Sequence, residues 1–330
     1  MVRYGDRAVC RAPRSRALPA YAPTALAIPG RAGGSSVTVT HNAAATTVTG
    51  DASDLIGRNN GYYREGALDN RWARIASWPD YGQAIAAYDW AGLLAAHRGK
   101  NSIAILDVGC GIGHFPRQLQ SQVLFPADLA IDYDTLDVSQ YSLNEHKSRL
   151  RLPFKARNSF NSAIQDFRPE PPTGTYEVIW CMHSLYTVPR DRLPQVIATL
   201  TSLLAADGRC FIYLPGKHSA YMQLLDLYLE ERGIEGQRYL TAEEVLAELA
   251  ASGSKTAASA RCDLDHWIDA TEPDTLAAYL NQACFRADPL TFDGWQQNET
   301  FRGYLETAFD HRRGAWRFRQ ELTLISFARQ

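Results

Sequence analysis

"LDVGCGIGHF", residues 106–115, decides the fold. A short apolar run leads directly into three glycines at alternate positions, Gly109, Gly111 and Gly113, and then into a segment able to start a helix. Between a strand and a helix, glycines at the first two positions let a ligand approach the backbone, and the third lets helix and strand pack closely. A nucleotide-like ligand fits such a loop. The spacing is GxGxG, so the third glycine arrives one residue earlier than in the GxGxxG of dinucleotide binders.

The surrounding sequence alternates strand and helix. Apolar runs predict strands at residues 103–108, 134–138, 177–182 and 209–214, and helical periodicity predicts helices over 115–122, 141–150 and 193–204. That order implies an α/β fold with a parallel sheet and right-handed crossovers. Ligands of such sheets bind beyond the carboxyl ends of the strands, at the topological switch point. The glycine loop stands at one of those ends.

Upstream, the chain changes character twice. Residues 1–50 carry six arginines and one acid, Asp6, among Ala, Pro, Ser, Thr and Gly, with no helical or strand period, so a disordered tail is expected. The same composition resembles an organelle transit peptide, although the whole chain is rich in Arg. Residues 51–98 read as two or three helices broken at Pro79, an N-terminal cap before a main domain over 99–330. Tyr62, Tyr63, Trp72, Trp78, Tyr81, Tyr88 and Trp90 crowd this cap. Most of these rings suit helix packing, whereas Tyr62 and Tyr63 are the candidates for a lid over a ligand.

Charge and composition exclude several partners. A net charge of −2 without blocks of like charge is unsuited to a nucleic-acid groove or an anionic membrane. Six cysteines lie far apart with no CxxC pair, so neither zinc nor a disulfide framework is indicated, and no apolar stretch is long enough to span a bilayer. A cytoplasmic protein acting on a small molecule is expected. Its oligomeric state is not legible.

With the glycine loop in place, the sequence resembles the class I, seven-stranded, SAM-dependent methyltransferases, whose first motif is similar to "ILDVGCGIGHF". The resemblance implies S-adenosyl-L-methionine as cofactor and a Rossmann-like, mostly parallel sheet. It assigns the cofactor site to Asp107, Gly109, Cys110, Gly111, Gly113, Val138, Gln165, Asp166 and Met182. Asp107 is implied as the partner of the methionine amino group. Asp137, in "YDTLDVSQYSL", is implied as the acceptor for the ribose hydroxyls, with Asp132 as its rival. Gln165 and Asp166 stand where the family contacts adenine, after "FKARNSFNSAIQDF", a stretch without a clear strand pattern.

Two further features bear on the acceptor. "CMHSLYTV" lacks the Asn/Asp-Pro-Pro-aromatic run typical of enzymes that methylate base amines or glutamine amides. "SARCDLDHWI" and "QELTLISFAR" are separated by a helical stretch marked by Leu276, Tyr279, Leu280 and Ala283, a layout similar to the histamine N-methyltransferase group. That likeness implies an amine nitrogen as acceptor, with His183, Tyr186, His218 and Gln320 beside the substrate. His183 paired with Glu321 is then the candidate catalytic base. A strand-end role for His183, a solvent position for His218 and a structural role for His266 and Trp267 are the alternatives. Oxygen or carbon acceptors, a SAM-binding sensor or cyclase, and an NAD-dependent oxidoreductase remain the competing functional readings.

Overall fold

The computed structural model describes residues 73–97, 99–100, 102–168, 174–233, 238–254, 256–284, 286 and 289–329. Tyr62, Tyr63, Trp72 and the expected tail over 1–50 lie outside the described residues.

Seven strands form one continuous sheet. In chain order they are β1 (Ile103–Val108), β2 (Ile131–Asp137), β3 (Phe154–Asn161), β4 (Tyr176–Met182), β5 (Leu204–Pro215), β6 (Thr256–Asp269) and, last in the chain, β8 (Ala315–Ala328). The two-residue β7 (Phe309–Asp310) pairs alongside β8. Their order in space is β3-β2-β1-β4-β5-β8-β6, parallel from β3 through β5, with β8 antiparallel to both β5 and β6. The chain winds outward from β1 in both directions, so the switch point falls between β1 and β4. This is the Rossmann-like architecture the glycine loop implied.

Period-two alternation explains the burial of both sheet faces. Leu106, Ile179 and Ile212 point into one core, together with Val196 and Leu200 of α5 (Leu193–Leu203) and Val245 of α7 (Ala242–Ala251). Their neighbours Ile105, Trp180 and Phe211 point to the opposite core. There they meet Ile85 of α1 (Trp78–Ala86), Trp90 of α2 (Trp90–Ala95) and Phe115 of α3 (His114–Gln122). β3 is an edge strand whose residues beyond Phe154 are mostly exposed, which is why its sequence shows no apolar alternation. It is nevertheless paired with β2 along its length.

The segment between β6 and β8 is helical as expected: α8 (Pro273–Ala283), α9 (Phe292–Gln296) and α10 (Glu299–Ala308). With α6 (Ala220–Glu231) these helices enclose a third core of Leu224, Leu276, Leu280, Trp295, Phe301 and Phe318. α4 (Gln140–Arg149) covers the β2–β3 side.

Pro79 does not break the N-terminal helix. It occupies the first turn of α1, where a missing N–H costs nothing and the fixed φ suits helix entry. A π-helical turn, Ala73–Ser77, precedes it. The aromatic cap residues divide by role: Trp90 and Tyr88 pack on Phe211, while Tyr81 faces a cleft.

Candidate active site

The cleft opens at the carboxyl ends of β1, β2 and β4 and is roofed by α1 and the insertion. Its floor is the glycine loop, but the three glycines have three different reasons to be there. Gly109 has φ +66°, and a Cβ on it would lie 2.3 Å from the Cβ of Ser184 in the loop after β4. Gly113, at φ +82°, is the N-cap of α3, and a Cβ there would press on the His146 ring at 3.3 Å. Only Gly111 has nothing within 4 Å of such a Cβ, at φ +49°, on the cleft floor. Gly111 leaves open space over the cleft floor, whereas Gly109 makes room for Ser184 and Gly113 for His146. Gly113 does not line the cleft, a correction to its expected place at the cofactor.

Asp137 ends β2 beside this floor. Its Oδ2 accepts the Gly111 N–H at 2.9 Å and its Oδ1 the Ser139 N–H at 2.8 Å. Each oxygen retains acceptor capacity toward a ligand hydroxyl. Burial pushes its carboxyl above the ordinary range, offset in part by those two N–H groups. Asp132 lies at the other end of β2 and accepts from Ser102 Oγ at 2.8 Å, which removes it as a rival.

Asp107 lies in the cleft wall at 3% exposure, with Tyr133 Oη donating to it at 2.6 Å. Burial raises its carboxyl to about 7, because the Tyr133 hydroxyl and the Trp180 indole do not compensate for lost water. An incoming cationic group would supply what the site lacks. His114 and His146 near the loop are held neutral by burial, both lowered to about 4.

Cys110, Val138, Gln165 and Met182 line the cleft as expected. Asp166 does not. Its side chain is 66% exposed and sits 3.5 Å from Arg192, because the turn after β3 directs successive side chains to opposite sides. Ser142, Ser162 and Ala163 complete this end of the cleft.

The other end belongs to a carboxylate that motif reading missed. Asp80, in the first turn of α1, is 1% exposed and lines the cleft. Its Oδ1 accepts from His266 Nε2 at 2.8 Å, and its Oδ2 accepts from Tyr221 Oη at 3.0 Å. His183 Nε2 stands 3.2 Å from Oδ2, within ion-pair range but off the line of a hydrogen bond. Burial alone would raise this carboxyl, yet the two imidazoles facing it, His266 foremost, outweigh burial and hold Asp80 below the ordinary carboxylate range. The available signal was a lone acid in an aromatic helix, "SWPDYG".

His183 has φ +54°, a left-handed conformation that costs a non-glycine residue about 1–2 kcal/mol. Its backbone N–H donates to the Tyr213 carbonyl, and its ring stacks edge-on to Tyr213 and tilts against Tyr81. The strain is retained in a residue that faces the cleft, as happens at sites where geometry matters more than stability. Tyr186, Tyr221 and Tyr239 add phenol rings to this end of the wall.

Three expected substrate-side residues lie elsewhere. His218 is exposed and does not line the cleft. Successive side chains of β8 point to opposite faces, so Gln320 and Glu321 diverge and neither reaches the cleft wall. Gln320 is fully buried and donates to Tyr279 Oη at 2.8 Å, while Glu321 pairs with Arg261 at 2.8 Å and Arg319 at 3.7 Å. The expected His183–Glu321 pair is not formed, and Asp80 stands beside His183 instead.

Residues 83–257, more than half of the chain, match a family described as the methyltransferase domain. The chain belongs to the SAM-dependent methyltransferase family. S-adenosyl-L-methionine is the cofactor, and the open floor at Gly111 with the acceptors Asp107 and Asp137 fits it. Solved structures similar to this methyltransferase include a putative methyltransferase from Bacillus halodurans C-125, at 13% identity and TM-score 0.45, covering 72% of this chain and 97% of that one. Magnesium protoporphyrin IX methyltransferase from Synechocystis PCC 6803, solved with bound SAH, is 14% identical at TM-score 0.45, covering 84% and 95% of the two chains. A SAM-dependent methyltransferase from Leishmania major is 15% identical at TM-score 0.44, covering 62% and 75%. No curated protein matches the chain. Among the described residues no helix is long and apolar enough to cross a membrane, and no cluster of His, Cys, Asp or Glu could hold a metal ion.

Proposed function

We propose that this methyltransferase acts on the nitrogen of a small amine. The observation that carries the reading is Asp80, a buried carboxylate at the end of the cleft away from the glycine loop, bounded by the rings of Tyr81 and Tyr221. Its two oxygens already accept from His266 and Tyr221, yet a carboxylate oxygen has capacity for a second donor such as an ammonium, and phenol faces attract cations by their quadrupoles. An alkylammonium satisfies both. The expected amine acceptor is retained, with Asp80 in the anionic role first given to Glu321.

At the other end, Asp137 and the Gly111 backbone would hold the ribose side of the cofactor and Asp107 its amino group. The cofactor supplies a methyl group already activated on a sulfonium. The chain's own task is to position the acceptor and manage its proton. Asp80 binds the ammonium, and the adjacent His183 imidazole accepts one proton so that the nitrogen lone pair is free. Positioning of this kind contributes on the order of 7–11 kcal/mol to barrier lowering.

A hydroxyl acceptor is the second reading, favoured by the His183–Asp80 contact, since a carboxylate-supported imidazole is also a base for a phenol. The test is turnover with S-adenosyl-L-methionine over matched probes, phenethylamine and histamine against catechol and tyrosol, read as a mass gain of one methyl group. Methylation of the amines, lost in Asp80→Asn while S-adenosylhomocysteine still binds within about twofold, is the expected result. Methylation confined to the phenols would overturn the amine reading.

A further inference from the structure

Behind Asp80, away from the cleft, runs a chain of buried hydrogen bonds that cofactor binding does not use. Gln320 Nε2 donates to Tyr279 Oη at 2.8 Å, Tyr279 Oη lies 3.0 Å from His266 Nδ1, and His266 Nε2 lies 2.8 Å from Asp80 Oδ1. The four residues come from β8, α8, β6 and α1, and among them only His266 and Tyr279 are near in sequence, thirteen residues apart. His266 is 1% exposed and Gln320 0%.

The order of donors along this chain has a consequence. An amide N–H pointing at Tyr279 occupies an oxygen lone pair and leaves the phenolic proton for His266 Nδ1. An imidazole that accepts at Nδ1 carries its proton on Nε2, and that N–H points at Asp80. Packing alone does not account for Gln320, because its Oε1 is buried with no partner among the described residues and an apolar side chain would be cheaper.

We propose that Gln320, Tyr279 and His266 are positioning residues that set the His266 tautomer, so that an N–H always faces Asp80 Oδ1 and the acceptor is met by Oδ2, beside the Tyr221 hydroxyl. The acceptor half of this statement rests on the amine reading above; the tautomer half does not. Gln320, expected at the substrate, acts instead through three hydrogen bonds. The groups facing Asp80 are His183 after β4, His266 of β6, Tyr213 of β5, Tyr221 of α6 and Tyr279 of α8, with Tyr81 next to it on α1.

The experiment is nitrogen-15 NMR of the full chain labelled at histidine, with S-adenosylhomocysteine bound, for the wild type, Gln320→Leu and Gln320→Glu. His266→Phe assigns the resonance. The wild type is expected to show a neutral His266 protonated at Nε2. In Gln320→Glu the new carboxylate draws the Tyr279 proton to itself, and the His266 proton moves to Nδ1 or a second proton is taken up. Steady-state kinetics with whichever phenethylamine or histamine probe turns over accompany the spectra. Both variants are expected to raise KM for the amine about tenfold, and Gln320→Glu to displace the acidic limb of the pH profile, which a merely structural residue would not move. A wild-type His266 protonated at Nδ1 would falsify the proposal without any variant. An unchanged tautomer in well-folded Gln320→Glu would also overturn it. If neither amine is methylated but the tautomer responds as described, the amine reading falls and the positioning chain stands.

Discussion

Two buried carboxyl groups that line the cleft differ in the partners burial leaves them. Asp107 and Asp80 are equally buried, yet their environments push them in opposite directions, upward to about 7 for Asp107 and downward for Asp80. Tyr133 is the one hydroxyl donating to Asp107, whereas two imidazoles and a phenol face Asp80. Asp107 is thus half protonated near neutral pH and becomes a good partner for an ammonium only above it. S-adenosylhomocysteine affinity, measured by calorimetry, is expected to weaken as pH falls from 8 to 6. In Asp107→Asn it should be about tenfold weaker at pH 8, in keeping with one lost charge-assisted hydrogen bond, and should lack that pH dependence. An unchanged affinity in the variant would remove Asp107 from the cofactor site.

The strand-to-helix turn after β1 shows how one motif carries separate demands. Alanine at Gly111 meets open space, so its cost to folding is the left-handed backbone, about 1–2 kcal/mol, and its main effect falls on ligand approach. Alanine at Gly109 meets the same backbone cost and also collides with Ser184, adding about 1–3 kcal/mol of overpacking. Thermal unfolding with and without S-adenosylhomocysteine separates the two. Gly111→Ala is expected to unfold close to the wild type and to lose most of the ligand-induced rise in Tm. Gly109→Ala should unfold well below it and recover in part when combined with Ser184→Gly. Equal behaviour of the two glycines would contradict these assignments. α1 is the complementary case, because its Pro79 and first-turn acid are ordinary helix-start signals that say nothing of what the acid will meet.

Across the whole molecule, buried groups set a pH dependence of stability whose signs oppose one another. His114 and His146 have folded values near 4 against an unfolded value of 6.5, so the unfolded chain binds more protons between those limits and stability falls as pH drops from about 6.5 to 4. Asp107 has a folded value near 7 against 3.8, so there the folded chain binds more protons and stability rises as pH drops from about 7 to 4. Asp80, held low, contributes stability that is present above 3.8 and is lost in stronger acid. Urea unfolding from pH 8 to pH 4 is expected to show a shallow decline in the wild type. In Asp107→Asn the decline should be steeper and start from a higher value at pH 8, because the burial penalty and its counterweight are removed together. A variant less stable at pH 8, with an unchanged slope, would show that Asp107 is comfortably ionised in the folded chain.

Strands β1, β2, β4 and β5 and the helical insertion were legible in order and period, and the glycine loop in its spacing, while Asp107 and Asp137 were named only through the family resemblance. Alternation and the glycine loop are local patterns, and local patterns survive without knowledge of what packs against them. β3 was obscure because an edge strand buries too little to imprint a period. The Asp80 end of the cleft was obscure for a different reason. Asp80 lies in α1, His183 follows β4, Tyr221 is in α6 and His266 is in β6, and no spacing rule connects them. Side-chain direction also turned on context: β8 sends Gln320 into the core and Glu321 to its arginines, and α1 swings its single acid inward because two imidazoles and a phenol wait there. A sequence states which faces are apolar and where the backbone must turn tightly; which distant polar groups become partners is decided only when burial removes water and leaves each of them to the neighbours that the tertiary packing supplies.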